Sequence, residues 1–113
     1  MKPVAFDYIA VGEVDAALAI STEPATSFMA GNQSLGPMLN LRLARPEKLI
    51  DLSAVAVLRQ VTESDDFVCF GSAITHAEIE DGEVPDPTAG WMQRVAANIA
   101  YRAVRNRGTL GGS

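Results

Sequence analysis

Histidine and cysteine are almost missing from this chain, where His76 and Cys69 are the only representatives among 113 residues. One cysteine cannot close an internal disulfide, hold an iron–sulfur cluster or build a structural zinc site, and one histidine cannot found a histidine-based metal cluster. No G-x-S-x-G string provides the strained elbow of a serine nucleophile. No apolar run reaches the ~18 residues that span a bilayer, and Met1-Lys2-Pro3 leads into no apolar secretory segment. A cytoplasmic protein without a membrane span is therefore expected. Cys69 lies in the apolar run Phe67-Val68-Cys69-Phe70 and reads as a small buried hydrophobe.

What is present suits one small domain or a piece of a larger one, since 48% of the residues are hydrophobic. The terminal string Gly108-Thr109-Leu110-Gly111-Gly112-Ser113 favours a piece, because a tight glycine turn with nothing after it rarely closes a fold. The formal charge of −5 speaks against nucleic acid as a partner. That charge is uneven: residues 88–113 carry four arginines, Arg94, Arg102, Arg105 and Arg107, and no acid. Such a segment suits a phosphate-bearing ligand or an acidic partner, and a solvated helix face has the same composition.

Short apolar runs alternate with helical patterns. Val4, Phe6 and Tyr8 predict a first strand covered on both faces, residues 13–20 a helix with Val14, Ala17 and Leu18 on one side, and residues 27–30 a second strand. Strand, helix, strand is the order of a parallel βαβ unit. Leu35, Met38, Leu39 and Arg42 share a helical face that Arg45-Pro46 closes, and residues 48–52 predict a third strand. Two runs, residues 58–61 and 67–70, flank a Ser64-Asp65-Asp66 turn and predict a hairpin. Thr75 and Glu78 have capping-box spacing, which places His76 on the surface at a helix start. Met92, Val95, Ala96, Ile99 and Ala103 predict a longer helix, with Trp91 and Tyr101 as core or interface residues.

Two loops are the candidate binding elements. The first, Ala30, Gly31, Asn32, Gln33, Ser34 and Leu35, lies between a predicted strand and a predicted helix, where free backbone amides can hold a pyrophosphate. Gly31 and Asn32 tolerate left-handed geometry, and Gln33 and Ser34 add side-chain donors. Residues 31–36 fit the first half of a P-loop, yet Pro37 and Met38 stand where its lysine and hydroxyl residue belong, which excludes nucleotide hydrolysis of that type. The second loop, Thr109, Leu110, Gly111, Gly112 and Ser113, follows the arginine-bearing segment. Two ordinary glycine turns would look the same.

Taken together, Phe6-Asp7-Tyr8, Ala30-Gly31-Asn32-Gln33-Ser34-Leu35, Leu41-Arg42-Leu43-Ala44-Arg45-Pro46, Leu49-Ile50-Asp51-Leu52, Thr75-His76-Ala77-Glu78 and the string from Val104 to Ser113 resemble the FAD-binding subunit of molybdopterin dehydrogenases. This is the family of aerobic carbon monoxide dehydrogenase medium subunits and the flavin parts of xanthine dehydrogenase-like enzymes, within the p-cresol methylhydroxylase-type FAD-binding fold. The resemblance runs the whole length of the chain. It implies an α/β (α+β) fold: an N-terminal βαβ subdomain over residues 1–55 with the first FAD loop, then an incomplete second α/β subdomain over residues 56–113 ending in the second. The cleft for FAD would lie between them.

By the same resemblance, a molybdopterin-binding large subunit and a 2Fe-2S small subunit are the expected partners. The molybdenum cofactor and the 2Fe-2S clusters would reside in those partners. Electrons would pass through FAD to an acceptor such as NAD or a quinone, with no catalytic acid, base or metal ligand in this segment. Two departures stand out. Asn32 occupies a position where the family usually has a second glycine, and Gly36 one where an apolar residue is commoner. A truncated interaction module and a single-chain flavin oxidoreductase of the same fold are the rival readings.

Overall fold

The computed structural model describes residues 1–113, and its contacts divide the chain into two compact units, Met1–Ala56 and Val57–Ser113. In the first unit β1 (Asp7–Ala10), α1 (Val14–Ser21), β2 (Thr26–Met29), α2 (Leu35–Asn40) and β3 (Lys48–Asp51) follow one another. The strands form a parallel sheet of order β1-β3-β2, with Ile50 opposite Ile9 on one side and Phe28 on the other. The last strand in sequence thus becomes the central one. Its composition explains this, because Leu49 and Ile50 are fully buried, as a strand covered on both faces requires.

The edge positions depart from expectation. In β1 only Ile9 is partly covered and Tyr8 is exposed, since a sheet edge leaves one flank open. On α1, which packs on β2 and β3, Ala17 is buried while Val14 and Leu18 face solvent. The Tyr8 hydroxyl donates to the Asp51 carboxylate, and the Ser53 amide donates to the other carboxylate oxygen at 2.9 Å, so the buried Asp51 is fixed at the end of the central strand. The next helix ends sooner than its apolar spacing suggests. Arg42 takes a left-handed φ of 58°, and the amides of Leu43 and Ala44 turn back to the Met38 carbonyl at 2.8 and 3.2 Å. Arg42 therefore leaves the face it was expected to share, and only Leu39 is buried there.

In the second unit a 3-10 turn, Ala56–Arg59, enters from the first; then come β4 (Val61–Glu63), β5 (Val68–Phe70), α3 (His76–Glu80), α4 (Trp91–Ala97) and α5 (Arg102–Arg105). β4 and β5 form an antiparallel hairpin, closed by the Ser64 amide on the Phe67 carbonyl at 2.9 Å. The hairpin starts later than expected because residues 56–59 are wound. Gly71 holds that turn closely: a Cβ there would lie 2.2 Å from the Leu58 carbonyl oxygen, so only glycine fits. The capping box forms in full, with Thr75 Oγ1 accepting from the Glu78 amide at 3.2 Å and Glu78 Oε2 accepting from the Thr75 amide at 2.8 Å.

Ile74, Ile79 and Ala96 make the core of this unit, with Val61, Val84, Met92 and Leu110 against it. Three expectations are corrected here and a fourth is narrowed. The predicted long helix is broken between α4 and α5, where Ala100 has a left-handed φ of 47°. Cys69 is exposed, because its strand belongs to a two-stranded hairpin with one open face. His76 is buried at 6% exposure, as the turn at Gly108 covers it. Trp91 and Tyr101 are 62% and 68% exposed, which removes the core half of their reading and leaves the interface half. No helix is long and apolar enough to cross a membrane.

Candidate cofactor-binding loops

The first loop leaves the C-terminal end of β2 and runs into α2. Ala30, Gly31, Asn32, Gln33 and Leu35 are half-buried and Ser34 is exposed. Asn32 has a left-handed φ of 63°, a conformation that asparagine tolerates better than most residues with a side chain, whereas Gly31 has no positive φ. The Asn32 carbonyl accepts from the Gly36 amide at 3.1 Å, and Gln33 Nε2 donates to the Gly31 carbonyl at 3.0 Å, so Gln33 braces the loop from within. Ser34 occupies the N-cap position without a side-chain capping bond.

The main-chain amides of Gly31, Asn32, Gln33, Ser34 and Leu35 find no acceptor within the chain. Five successive donors in a half-buried turn at the end of a parallel strand suit a ligand with several anionic oxygens, such as a diphosphate. The six-residue helix behind them adds little to this, so the donor set belongs to the loop itself.

Four of the five amides of the second loop, those of Leu110, Gly111, Gly112 and Ser113, are engaged. Leu110 N–H donates to the Ile74 carbonyl and Gly111 N–H to the Ser72 carbonyl, both at 2.8 Å. Gly112 N–H donates to Thr109 Oγ1 at 3.2 Å and Ser113 N–H to the Leu110 carbonyl at 3.4 Å. Thr109 is buried and bridges Thr75, Leu110 packs against the core, and Gly111, Gly112 and Ser113 are exposed. A Cβ on Gly111 would meet Ser72 Cβ at 2.6 Å and the Ser72 carbonyl oxygen at 2.9 Å. Ser72 was not singled out from the sequence, although the small-residue run Gly71-Ser72-Ala73 is the mark of a close backbone approach.

Two of the four C-terminal arginines are committed to carboxylates. Arg105 grips Glu80 through Nε at 2.8 Å and Nη2 at 3.1 Å, and its Nη1 donates to the Ile99 carbonyl at 3.0 Å. Arg102 forks onto Asp81 at 2.7 and 2.5 Å and reaches Glu80 at 3.0 Å. Hydrogen bonds from Arg105 and Arg102 hold the Glu80 and Asp81 carboxyls below the usual carboxylate range. The phosphate reading of the arginine excess therefore fails for these two, whose partners are the acids ending α3. Burial lowers the pKa of His76, so the imidazole is neutral near pH 7. No group of three or more His, Cys, Asp or Glu side chains is placed to hold a metal ion.

Residues 4–113 match the family described as the FAD binding domain in molybdopterin dehydrogenase. Among curated relatives, the caffeine dehydrogenase subunit beta of a Pseudomonas strain is 37% identical over 115 residues, and the nicotine 6-hydroxylase medium subunit of Paenarthrobacter nicotinovorans 39% over 114. All of this chain is covered in both cases, together with 39% and 40% of the relative, so the chain spans about two fifths of their length. Solved structures agree. Quinoline 2-oxidoreductase from Pseudomonas putida 86 superposes with a TM-score of 0.89 at 36% identity, covering 100% of this chain and 40% of that one. Carbon monoxide dehydrogenase from Hydrogenophaga pseudoflava gives 0.88 at 33% identity, with coverage of 99% and 40%.

Proposed function

This chain belongs to the family of FAD-binding domains of molybdopterin dehydrogenases, and from that premise we propose that its first glycine loop holds the pyrophosphate of FAD in the flavin subunit of a molybdenum hydroxylase. The cofactor of the family is FAD, and its members are oxidoreductase subunits. The observation that carries the assignment is the run of five backbone donors from Gly31 to Leu35 without an acceptor in the chain. Asn32 supplies the left-handed turn that aligns them, and Gln33 braces it. Such a preorganised set binds oxygen anions without a lysine, which fits the absence of one from this loop.

Within the second loop, Thr109 and Leu110 anchor the turn to its own unit, which leaves the exposed Gly111, Gly112 and Ser113 to meet the ligand by surface and side chain. When bound, FAD would supply two-electron and one-electron exchange between 2Fe-2S clusters of a small subunit and an external acceptor such as NAD or a quinone. A molybdopterin-binding large subunit would complete the complex. The curated relatives are named as subunits or medium chains, which supports this arrangement.

The experiment is the visible absorption spectrum and released flavin content of the natural full-length protein, beside an Asn32→Val variant. Stoichiometric FAD in the first and a clear loss in the second is the expected result. Flavin retained in full by Asn32→Val would reject the role of the first loop.

A further inference from the structure

We propose that Asn32 is the positioning residue of the first loop and that Gly36 is glycine because the Asn32 carboxamide takes the space a side chain there would need. A Cβ built on Gly36 finds as its three nearest neighbours Asn32 Nδ2 at 3.2 Å, Cγ at 3.3 Å and Oδ1 at 3.5 Å. All three are atoms of the Asn32 carboxamide. Glycine as the second residue of a short helix is disfavoured against alanine by its backbone freedom, so its presence in α2 has to be explained by a neighbour. The neighbour is Asn32, whose carbonyl also accepts the Gly36 amide at 3.1 Å.

The Asn32 side chain is placed by shape. Its Oδ1 is buried and is the one buried side-chain polar atom of the chain that lacks a hydrogen-bond partner. A carboxamide held without its bonds, on a residue with a left-handed φ of 63°, fixes the backbone from which the amides of residues 31–35 project. Adding a methyl group at 36 would push Asn32 by a few tenths of an ångström and re-aim the donors, while glycine at 32 would make room for it.

The inference rests on the FAD reading for its ligand, and a double-mutant cycle in the natural full-length protein separates the two. Gly36→Ala, Asn32→Gly and the double variant are compared with the unmodified protein for FAD dissociation constant and for the melting midpoint of the FAD-free form. Gly36→Ala is expected to weaken FAD binding about tenfold when Asn32 is present and less than about twofold when residue 32 is glycine, the range of coupling that contacting residues show. Its melting midpoint should rise in the Asn32→Gly background, where only helix propensity acts, and rise less or fall in the native one. Equal effects in both backgrounds on both readouts would overturn the proposal. Coupling in melting without coupling in affinity would also overturn it, because the contact would then be structural and would not position the donors. Absence of FAD from the unmodified protein would reject the ligand, and the melting cycle would still decide whether the two residues interact.

Discussion

The first loop keeps five amides free of acceptors in its own chain, whereas the second gives the amides of Leu110, Gly111, Gly112 and Ser113 to Ile74, Ser72, Thr109 and Leu110. Both are glycine-bearing loops at the border of a helix, and on sequence they invite one explanation. Their glycines nevertheless answer to different neighbours. In the second loop Gly111 is small because Ser72 lies against it; just after the first, Gly36 is small because Asn32 does. A glycine in such a loop can be required by the protein itself, independently of any ligand.

Substitutions in and around the two loops test the comparison. Gly111→Val brings the largest expected effect, since its Cβ would lie 2.6 Å from Ser72 Cβ. Overpacking against the side chain and backbone of Ser72 should cost about 3 kcal/mol or more, seen as a lower denaturation midpoint before any flavin is added. Ser72→Gly should restore part of that stability by removing one of the clashing atoms. Asn32→Val comes next: a β-branched residue at a φ of 63° should cost about 1–2 kcal/mol, with a loss of FAD affinity larger than that stability change alone would give.

A smaller loss follows from Arg105→Met, which removes both bonds to Glu80 and the bond to the Ile99 carbonyl. It should lower the thermal midpoint by a few degrees and leave flavin affinity near the native value, because this arginine serves α3. The smallest effect is a pH dependence. Burial lowers the His76 pKa below its ordinary 6.5, so the unfolded chain takes up a proton that the folded chain resists. Stability should therefore fall as pH drops from 6.5 toward the lowered value, and His76→Gln should flatten that part of the profile. A further fall in the acid range should persist in the variant, as Glu80 and Asp81 lose the arginine bonds that hold their pKa values down.

The parallel α/β order was legible in the chain because each strand is a short apolar run and each helix a periodic one. Likewise Thr75 and Glu78 announce their capping box by spacing alone, and Ser64-Asp65-Asp66 announces its turn. Helix ends were less so. Arg42 and Ala100 adopt left-handed backbone although neither is glycine or asparagine, and only tertiary packing selects that. The exposure of Tyr8, Cys69 and Trp91 and the burial of His76 depend on which strand is central and which turn lies over which helix, and periodicity carries neither. The positions of both loops could be read from their glycines. Which amides are free could not, because the acceptors Ser72 and Ile74 lie more than thirty residues before the loop they hold.

Amide hydrogen exchange of the full-length protein, followed with and without FAD, addresses the central claim most directly. The second loop should be protected in both states at Leu110 and Gly111, while Gly31 to Leu35 should exchange fast without FAD and slow markedly when it binds. FAD bound at full stoichiometry with no gain of protection from Gly31 to Leu35 would contradict the assignment of those amides to the pyrophosphate.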